Sequence, residues 1–226
     1  MDIVLFDIDG TLTRGGGAGA RALEGAFQAI FGWKNACAGM RFHGQTDRLL
    51  VRTVLSGQGA LGADPLRVRA QIDEVLARYV EILPSEVSLR PYQALPGADT
   101  ILSSLVAEGI GVGLVTGNHP TGAEQKLRSA GLWRDFAFAA FGSESEDRAD
   151  LVRLATERAE RALGARVDRA YVVGDTEEDV RAARRAKAVA VAVLTGGASR
   201  ETLEAERADA IFSDLREAHR AGFWRR

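Results

Sequence analysis

Two carboxylates two residues apart, Asp7 and Asp9, close a short apolar run of Val4, Leu5 and Phe6, and Gly10 follows them. The apolar run suits a buried strand, and glycine's freedom at positive φ allows a sharp departure behind the second acid. Alternation along a strand points Asp7 and Asp9 to opposite faces, but the break at Gly10 can bring both toward one site. Two carboxylates that close repel, so a cation is expected between them, or else one takes a proton. In a parallel α/β sheet, ligands bind at the carboxyl ends of the strands, where this pair lies.

Other apolar runs end in polar turns too. Thr116-Gly117-Asn118 follows Val112 to Val115. A hydroxyl and backbone amides at such a turn can hold a phosphoryl oxygen, although the same residues are good turn formers. Gly174-Asp175-Thr176-Glu177-Glu178-Asp179 ends another run. Asp175 and Asp179 stand about one helical turn apart, close enough to serve one site. Mg²⁺, a hard cation, prefers a few carboxylates and several waters. Asp179 also suits the first turn of a helix, where the macrodipole favours an acid. Glu177 and Glu178 read as solvated helix-start acids.

The elements that must position these groups alternate along the chain. Strands are expected at Ile3 to Phe6, Val112 to Val115, Phe136 to Phe141, Ala170 to Val173, Val189 to Leu194 and Ala210 to Phe212. Between them, residues 98–108, 121–130, 148–163 and 178–186 are rich in Ala, Leu, Arg and Glu, as helices should be. This order predicts an α/β fold with a doubly wound, mostly parallel, Rossmann-like sheet. Residues 14–92 break it with apolar positions at helical spacing and no convincing strand, and Pro84, Pro91 and Pro96 mark the exit. This stretch is expected to be an all-helical insert. Gly15-Gly16-Gly17 at its entrance reads as a hinge rather than a phosphate nest. Within it, Gly44-Gln45-Thr46-Asp47 is a polar turn opening a helix, with Thr46 or Asp47 as its N-cap.

The chain has 226 residues, 46% of them hydrophobic and 27% charged, in the range of globular proteins. A net charge of −2 gives no electrostatic reason to expect nucleic acid or an acidic membrane surface. The single cysteine, Cys37, cannot form an internal disulfide, which fits a reducing compartment. No apolar run approaches the ~20 residues of a membrane span, and no signal segment precedes the first strand. A cytoplasmic protein, monomeric or homodimeric, is expected. The histidines are dispersed, and no His/Cys spacing suggests zinc.

Asp7-Ile8-Asp9-Gly10-Thr11-Leu12 resembles motif I of the haloacid-dehalogenase-like (HAD) hydrolase superfamily, and the later segments follow in the family's order. The resemblance implies that Asp7 is the nucleophile forming an aspartyl-phosphate and Asp9 the general acid/base. An acid at the second position suits an alkoxide leaving group, which needs a proton, and so phosphoryl transfer over dehalogenation. Thr116, with Gly117 and Asn118, matches the phosphoryl-binding motif II. Asp175 and Asp179 match motif IV, so that Asp7, Asp9, Asp175 and Asp179 are the expected Mg²⁺ set. The usual motif III lysine is absent. Arg148 stands there, either as the phosphoryl-binding cation or as a surface residue paired with Asp147 or Asp150. Lys126 lies too soon after motif II and is expected to face solvent.

A helical insert after motif I resembles the cap of one HAD subclass, which divides the chain into a core of residues 1–14 and 93–226 and a cap of residues 15–92. The Gly-x-Thr-Asp turn resembles an element of capped phosphatases related to phosphoglycolate phosphatase, which makes His43, Gln45 and Arg48 candidates to face the substrate. The expected function is Mg²⁺-dependent hydrolysis of a small phosphorylated metabolite. A phosphomutase of the same fold, or a binding or regulatory protein that kept the fold without turnover, are the alternatives.

Overall fold

The first strand sets the architecture because its side chains are buried on both faces. In the computed structural model, which describes residues 1–134 and 136–225, β1 (Asp2–Phe6) sits at the centre of a six-stranded parallel sheet. Ile3 and Leu5 enter one apolar cluster and Val4 and Phe6 the other, as strand alternation requires. A strand apolar on both faces is the mark of a sheet covered by helices on both sides.

The remaining strands of this sheet are β4 (Gly111–Thr116), β5 (Ala139–Phe141), β6 (Arg169–Gly174), β7 (Val189–Val193) and β8 (Ala210–Phe212), in the order β5-β4-β1-β6-β7-β8. Helices α4 (Ala98–Ala107), α5 (Pro120–Ser129) and α9 (Leu215–Ala221) feed one face. The other is covered by α6 (Arg148–Leu163), α7 (Glu177–Arg185) and α8 (Arg200–Ala205). β1 pairs with β4 on one side and β6 on the other, so the direction of winding reverses beside it. That reversal opens a crevice beyond the carboxyl ends of β1, β4 and β6. The expected strand over Phe136 to Phe141 is confined to its last three residues, because Phe136 and Phe138 turn into the two apolar clusters before pairing begins.

The insert consists of α1 (Ala18–Phe31), α2 (Asp47–Gly57) and α3 (Pro65–Leu89), packed around a third apolar cluster that includes Phe27, Leu55, Ile72 and Leu83. Two features depart from expectation. Pro84 does not end the insert but lies inside α3, which continues to Leu89. The two ends of the insert are also tied by a short antiparallel pair, β2 (Thr13–Arg14) with β3 (Gln93–Ala94). Two residues a side carry no readable period, which is why the pair escapes sequence reading. Among the described residues, no helix is long and apolar enough to cross a membrane.

Candidate active site

At the end of β1 the backbone N–H of Asp7 donates to the Val173 carbonyl, and Gly10 takes φ of 87°, turning the chain over the sheet edge. Asp7 is almost fully buried, and its Oδ1 accepts from Arg148 Nη2 at 2.6 Å. The same Nη2 lies 2.7 Å from Asp179 Oδ1, so one guanidinium bridges two carboxylates. Arg148 is therefore not the surface partner of Asp147 or Asp150. Asp147 caps α6 and pairs with Arg185, and Asp150 pairs with Arg153. Burial opposes the charge on Arg148, but Asp179 and Asp7 outweigh it and hold the guanidinium protonated.

Asp175 emerges from β6 with no exposed surface. Its Oδ1 accepts from the Thr11 hydroxyl at 2.9 Å, and its Oδ2 is buried with no hydrogen-bond partner. A Cβ built on Gly10 would stand 2.4 Å from that oxygen, and one on Gly196 1.6 Å, so only glycines can cover this acid. Asp179 closes a capping box on α7: its Oδ2 accepts from the Thr176 amide at 3.0 Å and hydroxyl at 2.6 Å. The helix-start and ligand readings of Asp179 thus coexist, with one oxygen spent on the cap and the other turned inward.

One oxygen from each of Asp7, Asp175 and Asp179 lies within 4.8 Å of the others. Three buried carboxylates, one with an oxygen that nothing in the protein satisfies, suit a hard divalent cation. Burial pushes the Asp7 carboxyl up to about 7 despite Arg148. Burial, then Asp179 and Asp7, push Asp175 up to about 8. Each carboxyl thus holds a proton where an ordinary one would have lost it, as like charges packed together must unless a cation joins them.

Asp9 does not join that cluster. Its Oδ2 accepts from Lys126 Nζ at 2.7 Å and from Asn118 Nδ2 at 2.8 Å, which corrects two expectations. Lys126 is buried, not solvent-facing. It shares the inner face of α5 with Gly122, Ala123 and Leu127, and that spacing was readable in the sequence. A lysine on an apolar helical face is easily mistaken for one that snorkels to water. Burial opposes its charge, but Asp9 and the hydroxyls of Tyr92 and Tyr79 keep it an ammonium. Asn118 orients Asp9 directly. Thr116 is fully buried at the end of β4, its Oγ1 accepting from Asn118 Nδ2 at 2.7 Å, so it stands behind the wall formed by Gly117 and Asn118.

Asp7, Asp9, Gly117, Asn118, Lys126 and Arg148 line a cavity of about 530 Å³ between the sheet ends and the insert, where Leu23, Phe42, Leu50 and Tyr79 supply the far wall. His43 and Gln45 line it. Arg48 does not: it pairs with Asp73 on α3 at 2.7 Å, because a helix turn after the Thr46 cap carries it to the side of α2 that meets α3. The turn around Gln45 is pressed onto the sheet ends. Asp47 N–H donates to the Gly117 carbonyl at 2.7 Å, and the Asp47 carboxylate accepts from the His119 amide at 2.7 Å. Burial, partly offset by Lys126, pushes Asp47 up to about 6. Glu177, expected in solvent, is buried at the start of α7 and receives Arg41 of the insert at 2.5 Å. Arg52 of α2 holds both oxygens of Glu146 at 2.7 and 2.8 Å.

Sequence reasoning missed Lys126, Tyr79, Tyr92 and Asp47 as parts of one polar network. Only Lys126 and Asp47 carried a signal, the helical spacing of the first and the polar turn around the second.

A family model described as haloacid dehalogenase-like hydrolase matches residues 1–187. A phosphoglycolate phosphatase of Rhodospirillum rubrum is 31% identical over 229 residues, covering 94% of this chain and 87% of that protein. Among solved structures, a hydrolase from Pseudomonas syringae aligns with a TM-score of 0.71 at 24% identity, covering 97% of both chains. CbbY from Rhodobacter sphaeroides, solved in complex with phosphate, aligns with a TM-score of 0.67 at 21% identity, covering 95% of each.

Proposed function

The chain belongs to the haloacid dehalogenase-like hydrolases, and on that premise we propose that it is a Mg²⁺-dependent phosphatase of small phosphate monoesters. The observation that carries the reading is the separation of the two acids of β1. Asp7 lies with Asp175, Asp179 and Arg148, while Asp9, two residues on, lies with Asn118 and Lys126, and both line one cavity.

In this reading an Asp7 oxygen attacks phosphorus as the bond to the ester oxygen breaks, and Asp9 delivers the proton that the departing alkoxide takes up. Arg148 holds Asp7 in place and balances charge near the transferring group. Asp9, now a carboxylate, takes a proton from water as that water attacks phosphorus. The bond to Asp7 breaks and phosphate leaves. Mg²⁺, held by Asp7 and Asp175 with Asp179 behind them, would supply charge neutralisation between nucleophile and phosphoryl group. Gly117 and Asn118 of the β4 turn are assigned to the phosphoryl oxygens, with Thr116 supporting Asn118 from behind. Residues 15–92 act as a cap over a core of residues 1–14 and 93–226, and closure excludes bulk water.

Phosphoglycolate is the first substrate to test, on the likeness to the Rhodospirillum rubrum enzyme. The experiment is release of inorganic phosphate from a panel of phosphorylated metabolites with Mg²⁺ and then with EDTA, beside Asp7→Asn. Turnover that needs Mg²⁺ and vanishes in Asp7→Asn is expected. Undiminished turnover in either control rejects the mechanism, and phosphate passed to a second sugar phosphate without release makes the chain a phosphomutase.

A further inference from the structure

We infer that Lys126 is a positioning residue for proton transfer, which together with Asn118 holds one oxygen of Asp9 so that the other alone meets the ester oxygen. The inference rests on the reading of Asp9 as the acid/base. Lys126 comes from α5, and its ammonium is buried beside Asp9, 2.7 Å from Oδ2. It also meets Asn118 Oδ1 and stands over the face of Tyr92, 5.4 Å from the ring centre. Asn118 donates to the same Asp9 oxygen at 2.8 Å. Among the described residues no hydrogen bond uses Asp9 Oδ1, and the side chain is 36% exposed toward the cavity.

Rotation about the last torsion of an aspartate is broad and weakly restrained, so a carboxylate at a cavity wall does not choose which oxygen it presents. Two donors converging on Oδ2 make that choice. The arrangement also divides the two buried cations of the site. Arg148 serves the nucleophile and Lys126 the acid/base, so neither can replace the other. A purely structural lysine has no need to meet an acid that lines the cavity. The surface of α5 offers Glu124, which Arg128 takes instead.

The test uses two esters that the wild type hydrolyses, an alkyl phosphate and p-nitrophenyl phosphate. The alkoxide needs a proton as it leaves, whereas nitrophenolate departs as a stable anion, and kcat/KM reports the phosphoryl transfer step for each. In Lys126→Met, kcat/KM for the alkyl phosphate should fall by about 10²-fold, the scale of a misplaced reacting group, while p-nitrophenyl phosphate loses only a few-fold. In Lys126→Ala the emptied space opens on the cavity, and added methylamine should restore the alkyl phosphate reaction selectively. Equal losses on both esters in Lys126→Met, or methylamine restoring neither or both alike, would overturn the inference and leave a structural lysine. A wild type that hydrolyses neither ester overturns the phosphatase reading itself, and the inference with it.

Discussion

Arg148 reaches two carboxylates with a single nitrogen, so its loss is felt by both. Arg148→Ala should lower kcat/KM by 10²-fold or more, the order associated with removing one charge-stabilising donor. Arg153→Ala, which removes an exposed pair with Asp150, should change stability by no more than ~0–1 kcal/mol and leave kinetics unaltered. Comparable activity in the two variants would rule out a role for Arg148 at the phosphoryl group. The acids beside it set a pH dependence of definite sign. Asp7 and Asp175 rise from an ordinary value of 3.8 to about 7 and about 8 when no cation is bound. Between these limits the folded chain binds more protons than the unfolded one, so stability falls as pH rises. The metal-free protein should melt at progressively lower temperature from pH 5 to pH 8, and Mg²⁺ should raise the midpoint more at pH 8 than at pH 6. A Mg²⁺ effect that is equal at both pH values would separate the metal from these carboxyls. Asp7, Asp9, Asp175 and Asp179 were legible because their types and spacing are themselves the chemistry. Lys126 carried a helical-spacing signal, but its burial was not settled by it, since it depends on which face of α5 is covered, and that is fixed only by tertiary packing.

Elements that repeat a period announced themselves, and those that depend on a distant partner did not. β1 and α6 follow apolar patterns long enough to read, whereas β2 and β3 exist only because residues 13–14 and 93–94 meet across the whole insert. Pro84 misleads for a related reason. Proline normally breaks a helix interior at a cost of ~3 kcal/mol or more, but α3 buries Leu83 and Val87 on either side of it, and their packing carries the helix through. The junction of the insert turn with the β4 turn is likewise a matter of close approach. A Cβ on Gly117 would stand 2.1 Å from the Gln45 carbonyl oxygen, a distance that no side chain rotation relieves because both partners are backbone. Gly117→Ala should therefore push the turn around Gln45 outward, weakening the bonds of Asp47 to Gly117 and His119. About tenfold or greater loss in kcat/KM is expected, in line with the cost of small misplacements near a reacting centre. Gly57→Ala is the control, because nothing lies within 4 Å of its added carbon. It should keep wild-type kinetics and melt at the same or a slightly higher temperature. Matching kinetics in the two variants would mean that the contact between the turns has no part in turnover.

The described residues form three apolar clusters, two on the faces of the sheet and one inside the insert. A helical unit with its own core can move as a body, since motion costs only the contacts at its boundary. Here that boundary combines polar ties, the Asp47 bonds, Arg41 on Glu177, Arg52 on Glu146 and the two strands at 13–14 and 93–94, with the packing of α3 on α5, where Tyr79 and Leu83 meet Gly122. The half-exposed pair of Arg52 with Glu146 is worth little, and closure can draw in addition on charge within the cavity. Asp7 and Asp175, packed together with Asp179 at the ends of β1 and β6, have carboxyls raised by burial, and a cation with a phosphoryl mimic would supply the missing charge on the cavity side of Asp7, opposite the insert. Hydrogen exchange tests whether the insert responds. With Mg²⁺ and beryllofluoride, amides of residues 41–49 and 15–20 should exchange more slowly, while those of β1 and β6 stay as protected as before. The difference should vanish in Asp7→Asn, which cannot offer the carboxylate that the mimic binds. Protection that rises uniformly over the chain would signal general stabilisation by ligand instead of closure. No change at 41–49 would mean that the insert is a fixed wall of the cavity.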